Sequence, residues 1–417
     1  MLPESPCITN PGAPILVVLP SFTRDACGAP INDDEPRILG LSLSQRVVLA
    51  AHRAGYSQVF FLARRREARR DAMIPDWRRL ADVLAPSAAP LVIAPATILF
   101  ETNWLRGLTA MRIGPAAWAA IPNRIVVLDA KMVQDGLAAL DVDSGAFDMP
   151  AVDARLYARL GPAAEIPSKI HPMVVAKPDD IPVAEQRLLR SLVKDTDGFM
   201  ARHFDRHISL QISRRLAHTN VKPTQVSMVS LAIGLCGAPF FLSAHWPWQT
   251  VGALLLLLHS IVDGCDGELA RLKFQESRYG GLVDFWGDNV VISAVLGCIA
   301  AGWALSSSIT APMWLGAIAI ISALTSASLV YWKELRVKDG SGPFFTSVSA
   351  TPGSRLSKLL DGASRRDFIY VVPILAVCDK SSWLLVMAAV GGPTFLFLLL
   401  VLTVRERLDS KPTQSTA

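Results

Sequence analysis

Cysteine is scarce: the 417 residues contain six, and no two form a CxxC pair. That spacing excludes a zinc ribbon or a dithiol redox centre. Cys7, Cys27, Cys236, Cys265, Cys298 and Cys378 are therefore read as reduced packing residues. The start, MLPESPCITNPGAP, lacks both the basic n-region and the apolar h-region of a secretory signal, so the first part of the chain is expected to stay in the cytoplasm. Strong net charge is lacking too, at only +5, and nothing in its distribution points to nucleic acid. Its densest cluster, RRREARR at Arg64 to Arg70, is either a solvated helix face or a patch attracted to anionic headgroups.

What the chain has in abundance is apolar sequence, 51% of residues, in an uneven distribution. Before about residue 220 it comes in short runs broken by charges and prolines; from there to Val404 it forms long blocks. A soluble part is thus expected to precede an all-α polytopic membrane part. The blocks run near Val226–Ala244, Thr250–Val262, Leu282–Leu305, Pro312–Val330, Phe368–Val377 and Trp383–Val404, which predicts six spans. The second and fifth are short, so the second must continue helically through Arg271 and the fifth must begin before Asp367, with their polar ends sheltered by protein. Loops holding RRLAHTNVK, RLKFQESR, KELRVK with SRR, and RER alternate with HWPWQ, SSSITAP and CDKSS, which have a single Lys among them. The positive-inside rule then places both termini in the cytoplasm of a bacterial-type inner membrane. Upstream, DGFMARHFDRHISLQISRRLAHT sets Phe199, Phe204, Ile208, Ile212 and Leu216 at helical spacing, the pattern of a helix lying along the inner leaflet or of a soluble packing helix.

Into this apolar half the chain inserts DGCDGELARLKFQESRYGGLVDFWGD, Asp263 to Asp288. An Asp at the centre of a membrane helix costs roughly 2.5 to 3.5 kcal/mol on insertion scales, so the four would together cost on the order of 10 kcal/mol. Cations or a water-filled cavity must offset that cost. Asp263, Asp266, Gly267 and Ala270 share one helical stripe with Arg271 beside it, and Gly280, Asp284 and Asp288 form a stripe on the next helix. Antiparallel neighbours would turn the stripes toward each other, bringing four carboxylates together. An oxygen-only cluster of this kind suits hard divalent ions, Mg²⁺ or Mn²⁺, and is large enough for two, which commonly flank a phosphoryl group. Gly267 and Ala270 remove bulk where a ligand could approach the backbone, and Arg271 offers a fork for a phosphate.

These positions spell D-x2-D-G-x2-A-R-x8-G-x3-D-x3-D, a pattern whose chance occurrence in a chain this long is on the order of one in ten million. The stretch resembles the signature of the CDP-alcohol phosphotransferase family, over about residues 197 to 404. The resemblance implies transfer of a phosphoalcohol from a CDP-linked donor, such as CDP-diacylglycerol or a CDP-polyol, to the hydroxyl of an alcohol or polyol phosphate, releasing CMP. It implies that Asp263, Asp266 and Asp284 bind metal and that Asp288, within the same cluster, is the catalytic base. Gly267, Ala270, Arg271 and Gly280 would line the donor's cytidine and diphosphate site. Basic residues of later spans would hold the acceptor phosphate, with Arg366, Arg365 and Lys333 as candidates; positive-inside anchors are the alternative. A homodimer is expected by the same resemblance. VKPTQVS departs from the Pro-Asn common in relatives, with Thr224 as the substitute helix cap. Asn220, His203 and His259 are read as structural hydrogen-bonders.

Residues 15 to 165 alternate ILVVL, SLSQRVVLAAHRAG, QVFFLA, DWRRLADVLA, PLVIAP, ETNWLRGLTAMR and RIVVLD, the order of strands and helices in an α/β domain with a mainly parallel sheet. ILGLSLSQRVVLAAHRAGYSQVFFLA resembles a segment of sugar-nucleotidyltransferases. The whole arrangement is similar to the fusions of inositol-phosphate cytidylyltransferase with di-myo-inositol phosphate phosphate synthase. LVVLPSFTRDACGAP lacks the glycine-rich phosphate loop, however, and LVIAPATILF has Pro95 and Ala96 where a metal-binding Asp is expected. Without either, nucleotidyl transfer has little to stabilise its transition state, so this Rossmann-like domain is expected to be non-catalytic. The expected layout is 1–166 for this domain, 167–196 for a linker and short helix, 197–404 for the membrane domain and 405–417 for a disordered tail. The competing class is a non-catalytic membrane binding or scaffold protein derived from the same family.

Overall fold

The computed structural model describes residues 13–19, 36–62, 73–74, 77–84, 89–111, 118–140, 149–166, 172–193, 198–337 and 366–409; side chains at 73–74, 77–79, 109–110, 333–337, 366–367 and 406–409 are outside that description. The Arg64–Arg70 cluster and the loop after ILVVL lie outside the described residues; of the tail expected as disordered over 405–417, residues 405–409 instead continue the last helix and 410–417 lie outside the described residues. The chain divides into two compact units, Met1–Leu188 and Leu189–Ala417.

The first unit is built on β-branched runs that pair into one seven-stranded sheet: β1 (Ile15–Leu19), β4 (Gln58–Leu62), β5 (Met73–Ile74), β6 (Leu91–Pro95), β8 (Trp118–Ile121), β9 (Ile125–Leu128) and β10 (Ala164–Glu165). Its order is β10-β8-β9-β6-β1-β4-β5. β1 pairs in parallel with β4 (Ile15 opposite Gln58) and with β6 (Ile15 opposite Leu91), while β9 alone runs against both its neighbours. All five residues of β1 are buried, as both-face coverage of a parallel sheet requires. Ile15, Val17 and Leu19 face a core completed by Leu80, Leu137 and Leu156, which come from helices α2 (Trp77–Leu84), α4 (Val133–Leu140) and α5 (Met149–Leu160). The opposite layer holds α1 (Leu43–Ala54) and α3 (Thr102–Ala110), packed on one another. A capping box starts α1: Ser42 Oγ accepts from the Gln45 amide and Gln45 Oε1 accepts from the Ser42 amide; Gly55, at φ 96°, ends it in the left-handed conformation open to glycine. The sequence reading of an α/β unit with a mainly parallel sheet is thereby met.

The segment expected as a linker is partly folded into this unit. The short strand β11 (Met173–Val174) pairs with β7 (Ile98–Leu99), and α6 (Asp180–Ser191) supplies buried Glu185, whose Oε1 accepts from the Leu39 amide at 3.3 Å. Beside it Arg46 donates to the Ile38 and Leu39 carbonyls, and burial pulls its guanidinium down to about 10, with the Glu185 charge opposing the shift.

The second unit is helical. After a π turn at Ala201–Asp205 come α7 (Arg206–Ala217), α8 (Pro223–Gly237, continued by a 3-10 stretch Ala238–Leu242), α9 (Trp246–Lys273), α10 (Arg278–Ser307), α11 (Ala311–Val337), α12 (Val371–Val377) and α13 (Ser381–Asp409). Pro223 and Pro247 begin helices where a missing N–H costs nothing. Among the described residues five helices are long and apolar enough to cross a membrane: Pro223–Leu242, Trp246–Lys273, Arg278–Ser307, Ala311–Trp332 and Ser381–Arg405. The segment expected as the fifth of six spans is, among the described residues, a shorter apolar helix, Phe368–Val377, and residues 338–365 before it lie outside the described ones. Met228, Leu254, Ile292, Ile321, Val390 and Phe397 are exposed on these helices, a surface suited to lipid rather than water. Small residues let the helices cross closely: a Cβ at Gly252 of α9 would lie 2.9 Å from the Gly237 carbonyl oxygen, and one at Gly302 of α10 would lie 2.6 Å from that of Phe241.

Candidate functional site

The aspartate-bearing half of α9 stays helical well past its apolar run, and identifiable contacts hold its end. Phe274 terminates it in the left-handed conformation, and Lys273 Nζ donates to the carbonyls of Thr219 (2.6 Å) and Val221 (3.0 Å) in the α7–α8 connection. Three residues later Ser277 caps α10, its Oγ accepting from the Gly280 amide at 3.0 Å. The short connection makes α9 and α10 consecutive antiparallel elements, while α8 packs against both.

Across this arrangement Asp263 of α9 meets Asp284 and Asp288 of α10: one oxygen of each lies within 4.8 Å of the others. Asp263 is buried, at 4% exposure, and the two on α10 are half-buried. Three carboxylates this close repel one another unless a cation sits among them. The donor set, all hard oxygen and drawn from two rigid helices, fits a divalent ion of the Mg²⁺ or Mn²⁺ type.

Asp266 stands one turn along α9 and is not part of that three-residue group; it is buried, and its Oδ2 accepts a short hydrogen bond from Ser227 Oγ of α8. Among the described residues a Cβ at Gly267 would touch only the Arg271 Nη1, at 3.5 Å, so no other described side chain crowds the helix surface there. Ala270 and Arg271 are half-buried on the same side. Gly280 is tied to the α10 cap, where a Cβ would come within 3.0 Å of Ser277 Oγ. Of the acceptor candidates, Arg365 lies outside the described residues, and Lys333 (in α11) and Arg366 (first residue of a 3-10 turn, Arg366–Tyr370) lie outside the described side chains.

Two groups that the sequence reading set aside or passed over belong to this neighbourhood. His259, read as a structural hydrogen-bonder, is 5% exposed and places Nε2 3.4 Å from Asp288 Oδ1, with Nδ1 2.8 Å from Ser230 Oγ. Glu268, fully buried between Gly267 and Leu269, accepts from Arg206 (2.5 Å), Ser209 (2.7 Å) and Ser213 (2.7 Å), which ties α7 to the motif helix. The available signal was the helical spacing of small or polar residues in apolar surroundings: Ser227, Ser230 and Gly234 on α8, and Arg206, Ser209 and Ser213 on α7. Phe199, Phe204 and Ile208 are exposed while Ser209, Ser213 and Ala217 are buried, so the apolar stripe of the α7 region does not face its packing partner.

Comparison with known proteins places the same stretch. Residues 222–352 match the family model described as CDP-alcohol phosphatidyltransferase, a range that holds all four motif aspartates and His259. The chain is 34% identical over 192 residues to the "Bifunctional IPC transferase and DIPP synthase" of Rubrobacter xylanophilus, covering 45% of this chain and 41% of that protein. It is likewise 34% identical over 161 residues to the protein of that description from Thermococcus kodakarensis, covering 38% of this chain and 35% of the relative. The chain thus spans about two fifths of the length of these curated relatives. Among solved structures, phosphatidylinositol phosphate synthase of Mycobacterium tuberculosis with CDP-DAG bound matches with a TM-score of 0.34 and 19% identity, over 47% of this chain and 93% of that one.

Proposed function

We propose that this chain is an integral membrane CDP-alcohol phosphotransferase that moves a phosphoalcohol from a CDP-linked donor to an acceptor hydroxyl and releases CMP. The observation that carries the reading is the convergence of Asp263, Asp284 and Asp288 from two consecutive helices within 4.8 Å, at the spacing of the family signature. Asp263, Asp266 and Asp284 would hold the metal, with Asp288 in the same cluster as Asp263 and Asp284 and with Asp266 one turn along α9. Two Mg²⁺ or Mn²⁺ ions, when bound, would neutralise the donor's diphosphate oxygens. Arg271 adds a fixed positive fork, and the open surface at Gly267 admits the donor close to the helix. Asp288 takes the proton of the acceptor hydroxyl as its oxygen bonds to the alcohol-bearing phosphorus; the diphosphate bridge breaks and CMP leaves.

The acceptor is assigned as a polyol phosphate such as inositol phosphate, in keeping with the bifunctional descriptions of the relatives, and the donor as CDP-diacylglycerol or a CDP-polyol. Six spans with both termini cytoplasmic, in a bacterial-type inner membrane, complete the reading: Phe368–Val377 with residues before it supplies the sixth. Arg366, Arg365 and Lys333 are assigned to the acceptor phosphate. The first unit is assigned a non-catalytic role, and the working form is a homodimer in contact with membrane lipids.

The test is CMP release by purified protein with Mn²⁺ or Mg²⁺, a panel of CDP-diacylglycerol and CDP-inositol donors, and inositol phosphate or glycerol phosphate acceptors. Asp288→Asn should lower turnover about 100-fold or more. Wild-type turnover in that variant would remove the base assignment, and no metal-dependent release by the wild type would remove the enzymatic reading.

A further inference from the structure

We propose that His259 is a positioning residue for Asp288: it donates from Nε2 to one carboxylate oxygen and so orients the base. The inference rests on the assignment of Asp288 under the proposed function. Three helices build the contact. His259 extends from α9, where it is 5% exposed, and its Nε2 lies 3.4 Å from Asp288 Oδ1 on α10. On the other side of the ring Nδ1 lies 2.8 Å from Ser230 Oγ and 2.9 Å from the Ser230 carbonyl oxygen, both on α8. Ser230 Oγ also donates to the His259 carbonyl oxygen at 3.2 Å, so the Nδ1 side of the ring is bound to α8 by several contacts while Nε2 faces Asp288. The ring is thus anchored on α8 and turned toward Asp288.

Space for the ring is also provided. Gly234, one helical turn beyond Ser230, would place a Cβ 3.1 Å from His259 Cγ and 2.7 Å from Val291 Cγ1, so only glycine lets α8 lie this close to the imidazole and to α10. The consequence for Asp288 is directional. A carboxylate with one oxygen engaged by a fixed donor loses rotational freedom, and general bases act efficiently only when so aligned. Distances of this size commonly tighten when substrate arrives.

The two side-chain amides separate positioning from packing, because Gln sets its nitrogen where His has Nε2 and Asn sets its nitrogen where His has Nδ1. Full-length His259→Gln and His259→Asn proteins would be assayed in detergent for CMP release with the donor and acceptor pair active for the wild type, alongside Mn²⁺ binding by calorimetry. The expected result is kcat within about threefold of wild type for His259→Gln and down about 10- to 50-fold for His259→Asn, with donor KM and Mn²⁺ affinity near wild type in both. Ser230→Ala, which removes one hydroxyl and tests the same chain if His259→Asn does not fold, should lower kcat about three- to tenfold. Equal activities for the two amides, a loss confined to KM or Mn²⁺ affinity, or an unaffected Ser230→Ala overturns the positioning role while leaving the enzymatic reading intact. A wild type without metal-dependent CMP release overturns the enzymatic reading and this inference with it.

Discussion

At the scale of single residues, the site is a set of distances that small side chains make possible. Gly234 has the tightest of these, with Val291 Cγ1 at 2.7 Å and His259 Cγ at 3.1 Å from the position of a Cβ. Gly234→Ala is therefore expected to cost about 1 to 3 kcal/mol, as over-packing does, and to shift the imidazole away from Asp288. A thermal-unfolding series in detergent measures the first effect: the midpoint should fall in the single variant and recover in Gly234→Ala with Val291→Ala. An unchanged midpoint in the single variant would mean that α8 backs away at no cost. Asp263, Asp284 and Asp288 were legible in the sequence because helical periodicity alone puts i and i+4 on one stripe and a short connection turns two stripes face to face. His259 was not legible as an Asp288 partner. The intervening sequence says nothing about a distance that α8, α9 and α10 fix jointly, and a lone histidine on an apolar face has many possible hydrogen-bond partners.

At the scale of elements, the longest apolar runs translated directly into helices, since a bilayer offers the backbone no partner outside a helix. Length could not be read as simply. α9 continues eleven residues beyond Val262 to Lys273, carrying three acidic side chains, because α7 and α8 satisfy two of them: Ser227 donates to Asp266, and Arg206, Ser209 and Ser213 donate to Glu268. Glu268 is thus the lock between α7 and the motif helix, with a side chain of 0% exposure against 16% for Arg206. Removing one partner of a buried pair leaves an uncompensated charge, so Glu268→Ala is expected to cost about 3 to 5 kcal/mol, with Glu268→Gln in between because an amide still accepts from the serines. Thermal inactivation at matched protein and detergent concentrations tests the order, wild type above Gln above Ala. Equal half-lives for the three would show that α7 is held by its apolar contacts alone.

At the scale of the whole molecule, the two units use opposite logics of burial. The first hides β1 on both faces of a sheet, and the second leaves Ile321 and Phe397 outward at 65% and 64% exposure. Composition announced this division, because soluble α/β runs are short and alternate with helices, whereas spans are long. The boundary was harder, since Pro172, Pro178 and Pro182 suggest a linker by local chemistry while Glu185 and Val174 find partners far upstream, at Leu39 and Ile98. Every described group of the carboxylate site, from Ser227 to Asp288, belongs to residues 189–417. Deleting residues 1–188 therefore removes none of the groups that would hold metal, donor or proton. The shortened protein, purified in the detergent used for the full chain, is expected to release CMP with kcat within about threefold of the parent and the same Mn²⁺ dependence. A loss beyond about tenfold in kcat, with the shortened protein still folded by its thermal transition, would instead give the first unit a part in the chemistry, most simply by holding the acceptor. A rise in acceptor KM alone would assign it to substrate capture.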